Sequence, residues 1–354
     1  MDTIIIAVVV IAVVLSLRTY LQRRRRGRAE RSSQSTSREI TATLEWDSRL
    51  SPSKMLLETK TVEVSGVHKS FGRKEVVDDI SFEVRSGEIF GMVGPNGAGK
   101  TTTIRMLMDI IKPDSGEVKI LGEPFRESTK DRIGYLPEER GLYRKLTVTE
   151  SLEYLARLKS LTPGVAKSAT DNLLHRVGMF PHKGKKIEQL SRGMGQLIQF
   201  VTTIVHNPDL VILDEPFAGL DPVNREMLKE LIRELRQRGK TIILSTHQMN
   251  EVEELCDRIL MINKGKSVLY GELSEIRSRF RNNSIFLECD GSLEGLVGVT
   301  GKRNHGKFVE LFLDGKISSQ EILSQLLARG ITVDRFEVST PSLNEIFIQV
   351  VKEE

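Results

Sequence analysis

Cysteine is scarce in this sequence. Its two cysteines, Cys256 and Cys289, stand alone, which excludes a disulfide framework and offers no ligand spacing for a zinc site. A reducing compartment fits. A large excess of either charge is lacking too. The net charge is +4, and leaving out Arg23, Arg24, Arg25, Arg26, Arg28 and Arg31 makes the remainder slightly acidic. That argues against nucleic acid as a partner, because general positive charge is what steers such binders. No internal repeat is present, and tryptophan occurs once, at Trp46. What remains is ordinary globular material, 39% hydrophobic and 28% charged over 354 residues. At about 150 residues per domain, that suggests two or three folded units.

The opening is different in kind. Residues 3–21 run "TIIIAVVVIAVVLSLRTYL" with Arg18 as the only charge. As a helix this stretch rises about 28 Å, close to the roughly 30 Å hydrocarbon core of a bilayer. Arg18, near its end, can snorkel to the headgroups. A cleaved signal peptide fits poorly, because Asp2 precedes the run, the arginines follow it and no A-x-A-like site comes after. A buried strand also competes, since Ile and Val dominate. The anchor is the reading adopted for residues 1–21, and the positive-inside rule puts Arg23–Arg26 in the cytoplasm with the N-terminus outside. The expected location is the inner or plasma membrane, single-pass, with the remainder cytoplasmic.

Residues 22–57 are rich in Arg, Ser and Thr without a sustained period. They read as a tether whose reach is on the order of 30–35 Å. From "TVEVSGVHKSF" onward, β-rich runs alternate with helical ones, which implies an α/β sheet. "EIFGMVG" reads as a strand and "KTTTIRMLMDII" as the helix after it, while "LVILDEP" and "TIILST" read as buried strands. After about residue 282, "SIFLECD", "KFVELFLD" and "ITVDRFEVS" suggest strands, and "SSQEILSQLLARG" and "PSLNEIFIQVV" suggest amphipathic helices. Leu343, Ile346, Phe347 and Val350 fall at i, i+3, i+4 and i+7, so the last helix should bury one face.

Chemistry enters at "GPNGAGKTT", residues 94–102, which matches G-x-x-x-x-G-K-[ST]. Gly94, Gly97 and Gly99 let the backbone curl so that the N–H groups of Gly94, Pro95–Ala98 and their neighbours can face phosphate oxygens, Pro95 excepted. Asn96, Ala98 and Thr102 fall inside the same loop. Lys100 supplies a charge to the β/γ-phosphates, Thr101 a hydroxyl to Mg²⁺, and the following helix a positive dipole end. "LVILDEP" then provides Asp214 for the Mg²⁺ shell and Glu215 to polarise an attacking water.

The order P-loop, "LSRGMGQ", "LDEP", "GLDP" and an isolated histidine in "LSTHQM" resembles the ATP-binding-cassette (ABC) ATPases over about residues 60–282. In that family two cassettes pack head to tail, each ATP lying between one P-loop and the other cassette's signature segment. The resemblance implies that Ser191, Arg192 and Gly193 act in trans from a helix N-terminus, and that Asp221 is the D-loop residue. It makes His247 the switch histidine and Phe71, in "KSFGRKEVV", the aromatic stacked on adenine. Taken alone, His247 would read as a surface residue and Phe71 as a core phenylalanine. Two departures stand out: Arg192 and Met194 replace the family's glycine and glutamine, and "GYLPEERGLY" offers Glu138 where the family has the Q-loop glutamine. Glu138 is taken as a metal-site carboxylate. "PEERGLY", the "LS-x-GM" signature and a "PSLNEIFI"-like end resemble a bacterial branch of sodium-efflux-like and multidrug-export subunits.

The expected architecture is an α/β P-loop NTPase of ABC type, with a mixed sheet core, an antiparallel β subdomain and a helical signature subdomain over residues 58–282. A small α+β accessory domain over residues 283–354 and the N-terminal transmembrane helix complete it. The implied function is ATP hydrolysis with Mg²⁺, powering export through separate permease subunits, with a second cassette of the same or a different chain as partner. Non-transport ABC ATPases compete poorly. A translation-factor type carries two cassettes, and a DNA-repair type needs a long coiled coil that the heptad-free segment between P-loop and signature cannot supply.

Overall fold

A computed structural model describes residues 59–139, 141–280, 284–339 and 341–353. The expected anchor and tether, Trp46 included, lie outside the described residues. Among the described residues, no helix is long and apolar enough to cross a membrane.

The strands in chain order are β1 (Lys60–Phe71), β2 (Lys74–Arg85), β3 (Ile89–Val93), β4 (Ser115–Ile120), β5 (Glu123–Pro124), β6 (Ile133–Leu136), β7 (Leu210–Asp214), β8 (Thr241–Thr246), β9 (Arg258–Asn263), β10 (Lys266–Glu272), β11 (Ser284–Asp290), β12 (Val299–Asn304), β13 (Val309–Leu313) and β14 (Thr332–Val338). The helices are α1 (Lys100–Leu107), α2 (Val148–Leu158), α3 (Pro163–Arg176), α4 (Arg192–Ile204), α5 (Pro222–Gln237), α6 (Met249–Leu255), α7 (Leu273–Arg279), α8 (Ser319–Ala328) and α9 (Leu343–Glu353).

The central sheet has six strands in the order β10-β9-β3-β8-β7-β6. All its pairings are parallel except β10 with β9. Its central strands are covered on both faces, so they read as unbroken apolar runs rather than alternating ones. Alternation still decides which core each residue enters. Val93, Val211, Leu213, Ile242 and Leu244 join the helices α2 to α6 on one face. Phe90, Met92, Leu210, Ile212 and Ile243 face α1 and the four-stranded antiparallel sheet β2-β1-β4-β5 on the other. Phe82 of that sheet stacks on Phe90 with ring centroids 5.3 Å apart. The mixed sheet, the antiparallel sheet and the helical part carrying the signature are thus all present.

The helix in "KTTTIRMLMDII" stops at Leu107, earlier than its sequence suggests. Asp109 takes a left-handed φ of 56°, and Pro113 follows, so the chain turns out of the helix before its apolar run ends.

A third sheet, β12-β13-β11-β14, is antiparallel and packs a separate core through Ile285, Leu287 and Leu311 against Ile322 and Leu326 of α8. Strand β12, "VTGKRN", has Val299 as its one apolar residue packed on this core, too little for the sequence to suggest a strand. Its outward residues are polar, and pairing with β13 alone defines it. Helix α9 buries Leu343 and Ile346 as its spacing predicts, but in the core of the cassette, beside Val252 and Leu255 of α6. Ser342 and Glu345 close a capping box at its start.

Candidate functional site

The carboxyl ends of β3, β8 and β7 lie side by side, because these three neighbours run parallel. Register does the rest. Val93 is level with Thr246, and Asp214 is level with Ser245. The loop after each strand therefore opens at one edge, where open α/β sheets place their ligands.

The loop after β3 needs glycine for steric reasons. A Cβ on Gly94 would sit 2.1 Å from the Ile262 carbonyl oxygen, and one on Gly99, at φ 112°, would sit 2.7 Å from that of Val76. Gly99 is the left-handed N-cap of α1. The contact with Val76 also places the β1–β2 hairpin beside this loop. Phe71, at the end of β1, is 50% exposed with the Lys69 ammonium 5.7 Å from its ring. It is therefore an exposed aromatic rather than a core residue. Pro95, Asn96 and Gly97 are exposed, Ala98 is buried, and Thr101 and Thr102 are half-buried on the first turn of α1.

Lys100 is only 6% exposed. Its ammonium donates to the carbonyls of Gly94 at 2.8 Å and Pro95 at 3.2 Å, and lies 3.9 Å from Glu215 Oε1. Burial lowers its pKa, and Glu215, Asp214 and Glu138 oppose that shift. Of the three, Glu215 is the one in ion-pair range of the ammonium. Glu138 itself is exposed, in the loop after β6.

Asp214 is fully buried. Burial raises its pKa, and the hydroxyls of Ser245 and Thr101 pull the other way. Ser245 donates to Oδ1, whereas Oδ2 is buried with no hydrogen-bond partner. An orphaned buried carboxylate oxygen beside a threonine hydroxyl suits a hard divalent cation with oxygen ligands. Thr101 and Asp214 fit Mg²⁺ on that ground.

Glu215 follows with φ 48°, a left-handed conformation rare for a residue with a side chain. Its amide donates to the Ser245 carbonyl at 3.0 Å, which fixes the turn. His247 Nδ1 lies 2.9 Å from Glu215 Oε1, and the imidazole is 46% exposed. A carboxylate held on one side and facing an open imidazole can take a proton from a bound water.

The signature segment starts α4. Ser191 is its exposed N-cap, with Oγ accepting from Met194 N at 3.2 Å. The Arg192 side chain lies against the loop after β7: a Cβ on Gly219 would meet its Nε at 2.7 Å. Gly193 is close to the same backbone. Asp221 caps α5, accepting from Val223 N at 3.1 Å and Asn224 N at 3.0 Å. Those amide bonds, Asn224 first, lower its pKa.

Three contributors were not anticipated from sequence. Gln196 donates to the Pro216 carbonyl at 3.0 Å. Gln199 donates to the Pro137 and Glu139 carbonyls at 3.2 and 3.1 Å. Both are buried polar residues on the inner face of α4, and that is the signal they carried. Together they clamp the loop after Glu215 and the loop bearing Glu138 to one helix. Ser245, which holds Asp214, is the third.

Comparisons with known proteins place the chain in a family. Residues 77–218 match the ABC transporter family model, and residues 271–351 match the C-terminal domain of ATP-binding protein DrrA1-3-like. The chain is 40% identical over 291 residues to the uncharacterized ABC transporter ATP-binding protein YhaQ of Bacillus subtilis, covering 81% of this chain and 97% of that one. It is 33% identical to the linearmycin resistance ATP-binding protein LnrL of the same organism, covering 82% and 97%. With the Nod factor export ATP-binding protein I of Paraburkholderia xenovorans it shares 38% identity, covering 61% and 72%. A solved structure of an ATP-binding subunit of an ABC transporter superimposes with a TM-score of 0.59 at 31% identity, covering 62% of this chain and 93% of that one. The chain belongs to the ATP-binding proteins of ABC transporters.

Proposed function

We propose that this chain is the ATP-hydrolysing subunit of an exporter, held at the membrane by its first residues and acting through separate permease subunits. One observation carries the catalytic part: Lys100, Asp214, Glu215 and His247 meet at one sheet edge, with Asp214 Oδ2 left for a metal. The loop from Gly94 to Thr102 binds the phosphates, Lys100 neutralises their charge, and Phe71 takes the adenine face. Thr101 and Asp214 would hold Mg²⁺, and Glu138, in the loop after β6, is the further carboxylate proposed for that site. When bound, the metal supplies Lewis-acid charge to the phosphate oxygens. Glu215 accepts the proton of the attacking water while His247 orients it. Ser191, Arg192 and Gly193 are offered to the nucleotide of a second cassette, where the α4 dipole favours an anion, and Asp221 stands at the same interface.

Export is supported by the names of two relatives, one of linearmycin resistance and one of Nod factor export. Residues 1–21 as an anchor and 22–57 as a tether would raise the local concentration of the motor near its permease. The test is a membrane fraction. The full chain should resist an alkaline wash, and a chain starting near residue 58 should be soluble and still bind ATP. A full chain that washes off has no span.

A further inference from the structure

Behind Glu215 lies a second carboxylate that the proposed chemistry does not use. Glu251, on the first turn of α6, is fully buried. One hydroxyl stands between the two acids. Thr246 Oγ1 is 3.4 Å from Glu215 Oε2 and 3.3 Å from Glu251 Oε2, within donating distance of both. Its lone pair is engaged by Gln248 N at 3.1 Å. A hydroxyl has one proton, so it serves one carboxylate at a time.

The far side of Glu251 is incomplete. Oε1 has no hydrogen-bond partner, and neither has Arg225 Nε, yet the two lie 3.7 Å apart. Arg225 is one turn into α5, its amide bonded to the carbonyl of the cap residue Asp221 at 2.9 Å. Arg225 and Lys229 on α5 and Glu215 after β7 are the charges that act on Glu251. Burial opposes its ionised form and Arg225 favours it. A shift of α5 by under about 1 Å would bring the pair to hydrogen-bond distance.

We propose that Glu251 is a positioning residue for Glu215: by accepting the Thr246 hydrogen bond it leaves Glu215 Oε2 free to accept from water, and Arg225 ties that choice to the helix capped by Asp221. The inference rests on Glu215 as the base. Engagement of the Asp221 end of α5 draws Arg225 onto Glu251, which then holds the Thr246 hydroxyl. Glu215 keeps His247 on Oε1 and an open lone pair on Oε2. Without a carboxylate at 251, the hydroxyl turns to Glu215 and occupies that lone pair.

The test is a double-mutant cycle on ATP hydrolysis by the full-length chain. Glu251→Gln keeps the volume but can donate to Thr246, and should lower kcat about tenfold with KM for ATP within about twofold. In a Thr246→Val background, where no proton is shared, the same substitution should change kcat by less than about twofold. Thr246→Ala replaces the valine variant if melting shows that it does not fold. An unchanged kcat for Glu251→Gln would overturn the proposal. So would an equal loss with and without the Thr246 hydroxyl, or a KM that rises as far as kcat falls. Glu215→Gln, run alongside, separates the two levels: hydrolysis at the wild-type rate there removes the base itself, whatever Glu251 does.

Discussion

Among the described residues, two sites with buried carboxylates treat them in opposite ways, one in the C-terminal sheet and one at the carboxyl ends of the central strands. In the C-terminal sheet, Glu310 accepts from Ser284 Oγ at 3.1 Å, lies 3.1 Å from His305 Nε2, and has Arg303 3.8 Å away. Every direction of demand is met. At the edge of the central sheet, Asp214 keeps one oxygen with no partner and Glu215 bends its backbone into the left-handed region. A satisfied buried acid serves the fold. An unsatisfied one, sitting across from a buried lysine, is kept for something that arrives.

Substitutions should split along that line. Asp214→Asn is expected to reduce hydrolysis about 10²-fold, the scale on which electrostatic contacts to a transition state act. Burial opposes ionised Asp214, so a neutral amide should leave the melting temperature unchanged or higher. Glu310→Ala should do the reverse, losing about 1–3 kcal/mol of stability while hydrolysis per folded molecule stays put. If Asp214→Asn melts lower and Glu310→Ala loses activity, the contrast fails.

Lys100→Ala comes next in size. Removing a charged donor from the phosphates should weaken ATP binding about ten- to hundredfold, and wild-type affinity in the folded variant would contradict the phosphate loop. Smallest is Glu138→Gln. If this exposed carboxylate contributes to the metal site, the Mg²⁺ needed for half-maximal hydrolysis should rise about two- to fivefold. Superimposable titration curves would mark it as a solvated loop residue.

The sequence spoke clearly wherever function is written in contiguous residues. The phosphate loop, "LDEP" and the amphipathic spacing of Leu343, Ile346 and Phe347 could be read locally, because backbone conformation and burial periodicity are local properties. It was silent where distant segments meet. Nothing near Thr246 says that Glu251 shares its hydroxyl, and nothing in "LSRGMGQ" says that Arg192 will lie across Gly219. The last helix shows the same limit. Its apolar face was legible, but its partner was not, since a 3.6-residue stripe fits either the small C-terminal core or the cassette. The early end of α1 at Leu107 was hidden by an apolar run that continues past the turn at Asp109.

Hydrolysis with an ATP-bound Glu215→Gln chain tests the central claim most directly. The amide keeps the shape of the side chain and its reach to His247 but cannot accept the water's proton. Measured on the full-length chain with Mg²⁺, ATP binding should persist, a closed dimer should accumulate, and turnover should fall by about 10²–10⁴. Turnover at the wild-type rate with ATP bound would contradict the account, placing the base elsewhere than at the carboxyl edge of the central sheet.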